Sequence, residues 1–227
     1  MPPPPLTLET ALAELHRQSD PARRAGMARY GIDTSRALGV PMPAIRSLAR
    51  GQRSHALALE LWASGIHEAR ILASLVDDPR QVTREQMEAW VADFNSWDVC
   101  DQVCGNLFDR TPYAVDCVFA WSQRQPEFEK RAAYALIAWL AVHDKKAPDS
   151  LFLSFLPVVE QGATDPRNFV KKAVNWALRQ TGKRNAALRT AALQAAHRIR
   201  AIDSPAARWV AADAIRELEA KGRSTPV

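Results

Sequence analysis

Apolar residues recur at spacings of three and four along almost the whole chain, and the period-two alternation of half-buried strands is nearly absent. Only a period of about 3.6 residues returns side chains to one face at those spacings, so the chain is restricted to amphipathic α-helices packed on one another. With 9 glycines among 227 residues, it offers few of the tight turns a sheet protein needs. Start signals punctuate the pattern. Thr83 with Gln86 spells a capping box before a helix through Trp90, Thr111-Pro112 and Ser204-Pro205 each set a capping hydroxyl before a proline at the first helical position, and Asn185 is a further cap. The connections Asp77-Asp78-Pro79, Arg124-Gln125-Pro126 and Asp165-Pro166 are short, which predicts successive helices packed as antiparallel neighbours. The reading is an all-α chain of about ten to twelve helices of about 10 to 19 residues, in one domain over 1–227. Chain length and the lack of long crossovers favour a superhelix of degenerate helical pairs, a solenoid, over a closed bundle. Pro2 to Pro5 reads as an extended or disordered leader and Gly222 to Val227 as a frayed tail.

Charge is unevenly placed. The chain carries 30 Lys+Arg against 25 Asp+Glu, a net +5, yet residues 165 to 208 alone hold ten basic residues against Asp165 and Asp203, leaving 20 basic against 23 acidic residues elsewhere. A basic block beside a mildly acidic remainder points to a polyanionic partner, although such a face can also be plain solvated surface. The longest stretch without a formal charge, Ala132 to Val142, falls well short of a membrane span, and no secretory signal follows Met1, so a cytoplasmic protein is expected. Cys100, Cys104 and Cys117 are an odd number without paired CxxC spacing, which fits reduced core thiols. There is no P-loop, no GxGxxG after a strand and no HExxH, and the five histidines are scattered, so neither metal nor nucleotide cofactor is expected.

Three places can carry chemistry. In a helix over 168 to 181, at about 100° per residue, Val170, Ala173, Val174, Ala177 and Thr181 share a compact core stripe, while Lys172, Trp176, Arg179 and Lys183 share the opposite face. Trp176 there is either a stacking platform within a phosphate-binding face or an indole covered by a neighbouring helix or by cation stems. In the segment 96 to 104, Val99, Cys100, Val103 and Cys104 form the apolar stripe, and Trp97 and Asp101, one turn apart, stand at its border. A carboxylate partly withdrawn from water beside an indole can stabilise developing positive charge or orient a water, or it can be an ordinary ion-pair partner; Asp98 can simply cap or solvate the helix start. Arg131, the last charge before the uncharged stretch, needs an anion, with Asp101 and a DNA phosphate both candidates, unless it snorkels to solvent.

The segments SWDVCDQVC (96 to 104), FEKRAAY (128 to 134), HDKKA (143 to 147), NFVKKAVNWALRQTGKRN (168 to 185) and LGVPMPAIR (38 to 46) resemble the AlkD-like family of bacterial DNA alkylation repair proteins, over about Tyr30 to Trp209. The resemblance implies a superhelix of HEAT-like helical pairs whose basic concave face holds duplex DNA. It also implies a DNA glycosylase acting without a metal on N3- and N7-alkylated purines; a monomer without cofactor is expected. Carried over by residue, it gives Asp101 as the catalytic carboxylate, Trp97 and Trp176 as cleft tryptophans, Arg131 as the cleft arginine, Arg179 as a DNA contact, and Tyr30 and Arg46 as amino-terminal contacts; Lys172 and Lys183, which share the Trp176 face by helical phase, are expected to bind DNA beside Arg179. The surroundings of the carboxylate, Val-Cys-Asp-Gln-Val-Cys, depart from the founding enzymes. A non-catalytic adaptor for DNA or protein on the same scaffold is the competing reading.

Overall fold

A computed structural model describes residues 5–223, and among them every regular element is helical. The proposed leader and tail lie largely outside the described residues; the last helix runs through Gly222 to Arg223. The helices are α1 (Leu8–Arg17), α2 (Pro21–Met27), α3 (Met42–Ala49), α4 (His55–Ala63), α5 (His67–Val76), α6 (Arg84–Ala92), α7 (Trp97–Asn106), α8 (Ala114–Trp121), α9 (Glu127–His143), α10 (Asp149–Gly162), α11 (Asn168–Lys183), α12 (Ala186–Arg200) and α13 (Pro205–Arg223). Single 3-10 turns stand at Ala28–Tyr30 and Phe108–Arg110. Thirteen helices exceed the expected count because α2, α3 and α8 are only seven or eight residues long. The chain folds as two compact units, one ending at Pro112 and the other beginning at Tyr113.

Several caps follow local chemistry. Asn185 accepts the Leu188 N–H, and Ser204 the Ala207 N–H, with Pro205 opening α13. Thr83 does cap α6 by accepting the Gln86 N–H, but no box forms, because Gln86 Nε2 donates to Asp77 at 2.8 Å. Thr111 does not cap α8: its hydroxyl turns back onto the Phe108 carbonyl at 2.8 Å, and the helix starts three residues later. A 3-10 turn leaves a nearby acceptor that the hydroxyl satisfies first.

In the first unit α5 is the hub, packing on α3, α4 and α7. Trp62 of α4 stacks on Trp90 of α6 at 4.0 Å, and Phe94 and Phe108 extend the cluster. Glu68, 1% exposed, is a buried charge whose carboxylate accepts the backbone N–H groups of Leu38, Gly39 and Val40 at 2.8, 2.7 and 3.2 Å. This stitches the connection before α3 onto α5 and supplies the partners that a buried carboxylate requires. Gly39 has φ +83°, and a Cβ there would lie 2.2 Å from the Asp20 carbonyl, so no other residue fits.

In the second unit the substantial packing runs to the next helix and the next but one, α9 on α11, α10 on α12 and α11 on α13 among them, as in a stack of helical pairs. Residues 132–138 of α9 are all buried, so the uncharged stretch is a core helix. Tyr134 fills the space over Gly162, where a Cβ would sit 2.0 Å from its hydroxyl. Asn175 of α11, buried, donates to the Val210 carbonyl of α13 at 3.0 Å.

Candidate nucleic-acid interface

The first unit presents Trp97 and Asp101 on α7, and its neighbours hold the start of that helix. Ser96 does not cap α7; its hydroxyl accepts the Asp33 N–H at 2.9 Å, while Asn95 donates to the Asp33 carboxylate at 2.7 Å. The Asp33 carboxyl is held below the usual range, first by the Ser35 backbone N–H that it accepts. Trp97 Nε1 donates to the Tyr30 carbonyl at 3.0 Å, so two candidate residues 67 positions apart meet, with the Tyr30 ring 72% exposed. Asp98 neither caps nor solvates the helix start: it meets the ring Nε2 of His67 at 2.8 Å, beneath the first turn. His67 is 5% exposed. Burial pushes its imidazolium down, but the hydrogen bond and charge of Asp98, with Glu68 and Asp33 adding, outweigh this and raise it above its ordinary value. Asp101, one turn beyond Trp97, keeps partial contact with solvent on a helix whose other face, Val99, Cys100, Val103 and Cys104, is fully buried. All three cysteines are buried thiols, and burial pushes Cys104 well above its usual pKa, an inert core role. Arg46 stands exposed in the last turn of α3.

The second unit presents the other candidates around α11. Arg131 does not snorkel: it is 5% exposed, and Nη1 donates to the Phe169 carbonyl at 2.5 Å, tying α9 to the first turn of α11. The core stripe Val170, Ala173, Val174, Ala177 and Thr181 is buried as predicted, but Asn175, Leu178 and Gly182 are buried too, because α9 on one side and α12 and α13 on the other enclose most of the helix. Trp176 therefore stands on a narrower open face than its helical phase implies. It is partly exposed, and its ring meets Trp139 of α9 edge to face at 5.4 Å, while Trp139 stacks on His143 at 4.8 Å. A neighbouring helix thus covers one side of this indole, and the residue keeps part of its exposure. Lys172 is exposed, but Arg179 pairs with Asp213 at 3.7 Å and with Glu217, and Lys183 pairs with the same Glu217. Burial pushes the Glu217 carboxyl up, and the hydrogen bonds and charges of Lys183 and Arg179 more than offset it, leaving it below the usual range.

The basic block is thus less basic in space than along the chain. Arg167 forks onto Asp165, Arg198 onto Glu160, and Arg208 pairs with Asp203. Arg184 spends its donors on the carbonyls of Ala141, Asp144 and Ala147, with its guanidinium 3.9 Å over Phe152. Sequence reasoning missed His67, Glu68, Trp139 and Glu217. The adjacent His-Glu at the head of an apolar helix was a visible signal for the first two; for the others, the partner lies on another helix and no local pattern marks it.

Among the described residues no three His, Cys, Asp or Glu side chains converge as a metal site, and no helix is long and apolar enough to cross a membrane. No curated protein matches the chain. A solved structure matches with a TM-score of 0.79 over 96% of each chain at 18% identity; it represents a new family of proteins related to the HEAT-like repeat DNA glycosylases with affinity for branched DNA structures. The all-α fold of HEAT-like helical pairs is therefore the fold of this chain. The model of the DNA alkylation repair enzyme family matches residues 11–218. On that match, spanning all but the chain's ends, the protein belongs to the DNA alkylation repair enzymes.

Proposed function

We propose that the protein hydrolyses the N-glycosidic bond of cationic N3- and N7-alkylated purines in duplex DNA. The observation that carries the reading is the pair on α7, an indole and a carboxylate one turn apart, both partly exposed on the polar side of a helix whose other face is buried, in a DNA alkylation repair enzyme. Alkylation makes the purine a positively charged leaving group, so little acid catalysis is needed. As the bond from C1′ to the purine nitrogen breaks, its electron pair neutralises the departing base and positive charge develops on the deoxyribose. Asp101 stabilises that charge and orients a water, whose oxygen bonds to C1′ while its proton passes to the carboxylate or to solvent. On the first unit Trp97 offers its π face to the sugar and phosphodiester, with Tyr30 and Arg46 as outer contacts; on the second, Trp176 offers a π face and Arg131, Arg179, Lys172 and Lys183 supply positive charge toward phosphates.

A second reading is favoured by the fold's likeness to a family with affinity for branched DNA: binding of DNA without turnover. One assay separates the two. Release of free 7-methylguanine or 3-methyladenine from methylated duplex DNA is expected, and tight DNA binding with no released base leaves the binding reading in its place.

A further inference from the structure

The α12–α13 face holds a cleft of about 530 Å³ lined by Arg200, Arg208, Ala212, Ile215, Arg216 and Glu219. Three guanidinium groups face one carboxylate there. Among the described residues Arg208 is already paired with Asp203 and Arg216 with Asp213, and Arg200, exposed at the end of α12, makes no ion pair. At about 100° per residue, Trp209, Ala212 and Arg216 form one row along α13. Trp209 is 41% exposed, and the Lys171 ammonium lies 4.9 Å over its ring, so an open aromatic face with its own cation borders the cleft. Asp213, which pairs with both Arg179 and Arg216, joins the rim of the cleft to the side of α13 that faces α11, while Arg208, Ile215 and Glu219 stand about a third of a helical turn further round.

Spacing indicates what the cleft takes. Arg208 and Arg216 are eight residues apart, which sets them about 12 Å apart along the helix. Phosphates of one strand repeat every about 3.4 Å along a duplex, so the two arginines match several consecutive phosphates of a backbone and no free phosphate ion bridges them. Ala212 and Ile215 form an apolar floor suited to sugar edges, and the Trp209 ring can stack a base left unpaired where strands part. We propose that this cleft is a second phosphodiester-backbone site, which holds a second arm of a branched DNA while the Trp176 face engages the first. The inference rests on the DNA-binding reading above and adds a site to it.

The test compares wild type with Arg200→Gln/Arg208→Gln/Arg216→Gln, by fluorescence anisotropy on a three-way DNA junction and on a linear duplex built from one of its arms. For the triple variant, junction affinity is expected to fall at least about tenfold and the log–log salt slope to shrink by about 2 to 3, with duplex affinity held within about threefold. Arg200→Gln alone, which breaks no ion pair among the described residues, is expected to reduce the junction slope by about 1 and guards against a folding defect in the triple variant. Trp209→Ala is expected to weaken the junction and leave the duplex unchanged. Junction binding with wild-type affinity and slope overturns the proposal, and equal losses on junction and duplex overturn the second arm by making the cleft part of a single interface. Loss of binding to an anionic lipid vesicle or an acidic peptide, with junction binding intact, overturns it in favour of that occupant. Wild-type protein that binds neither DNA removes the DNA-binding reading itself.

Discussion

In the proposed reaction Asp101 is the charged group, and it keeps part of its contact with solvent on a helix whose opposite face is buried. Asp101→Asn keeps size and most hydrogen-bonding capacity and removes only the negative charge. Excision of cationic alkylpurines is expected to fall at least about tenfold, because an interaction present mainly in the transition state carries more than about 1.4 kcal/mol of barrier. Affinity for intact duplex should hold or improve, since an anion leaves a phosphate-facing surface. Single-turnover rates beside binding curves check both halves. His67 acts at the same scale through Asp98, at the root of the helix that presents Trp97 and Asp101. Its pKa is raised in the folded protein, so the stability it contributes is fully present below the unfolded value of about 6.5 and is lost as pH rises through the folded one. Denaturant midpoints of wild type are therefore expected to decline over that window relative to His67→Gln, whose own curve lacks this component.

At the scale of elements, α11 shows how neighbours rewrite a face. Its apolar stripe and the caps at Asn185 and Ser204 were readable, because they depend on residues within a turn or two of one another. That Arg179 and Lys183 would share Glu217 was not, since the carboxylate arrives on α13. The bond from Arg131 to the Phe169 carbonyl was not readable for the same reason, since the acceptor lies 38 residues on. Glu217→Gln frees Lys183 and leaves Arg179 held by Asp213 alone. Duplex affinity is expected to rise several-fold and the salt slope to steepen by up to about 2, while stability falls by about 1 kcal/mol or less, as for partly exposed ion pairs. Salt titrations and thermal melts of the same variant check the two directions.

Across the whole molecule, the named residues divide between the two units: Tyr30, Arg46, Trp97 and Asp101 on the first, and Arg131, Lys172, Trp176, Arg179 and Lys183 on the second. Much of the positive surplus on the second is cancelled by Asp165, Glu160, Asp203 and Glu217. Binding to unmodified linear duplex is therefore expected to be salt-dependent with a log–log slope of about −4, that of four to five neutralised phosphates, and without marked sequence preference. Affinity unchanged between about 50 and about 200 mM salt would exclude the electrostatic account.

Helix identity, the buried stripe of α11 and the core nature of residues 132 to 142 were legible in the amino-acid order, because a helix closes its hydrogen bonds and presents its faces through residues three and four apart. The motifs around Trp97, Asp101 and Trp176 were legible likewise, as side-chain types at fixed spacing. The burial of Glu68 under three backbone N–H groups, the His67–Asp98 contact, the Trp139 edge against Trp176 and the neutralisation of Arg179 all came from packing. Each joins residues about 30 or more positions apart, and the free energy of a buried charge or an aromatic contact depends on which atoms surround it, which no local period encodes.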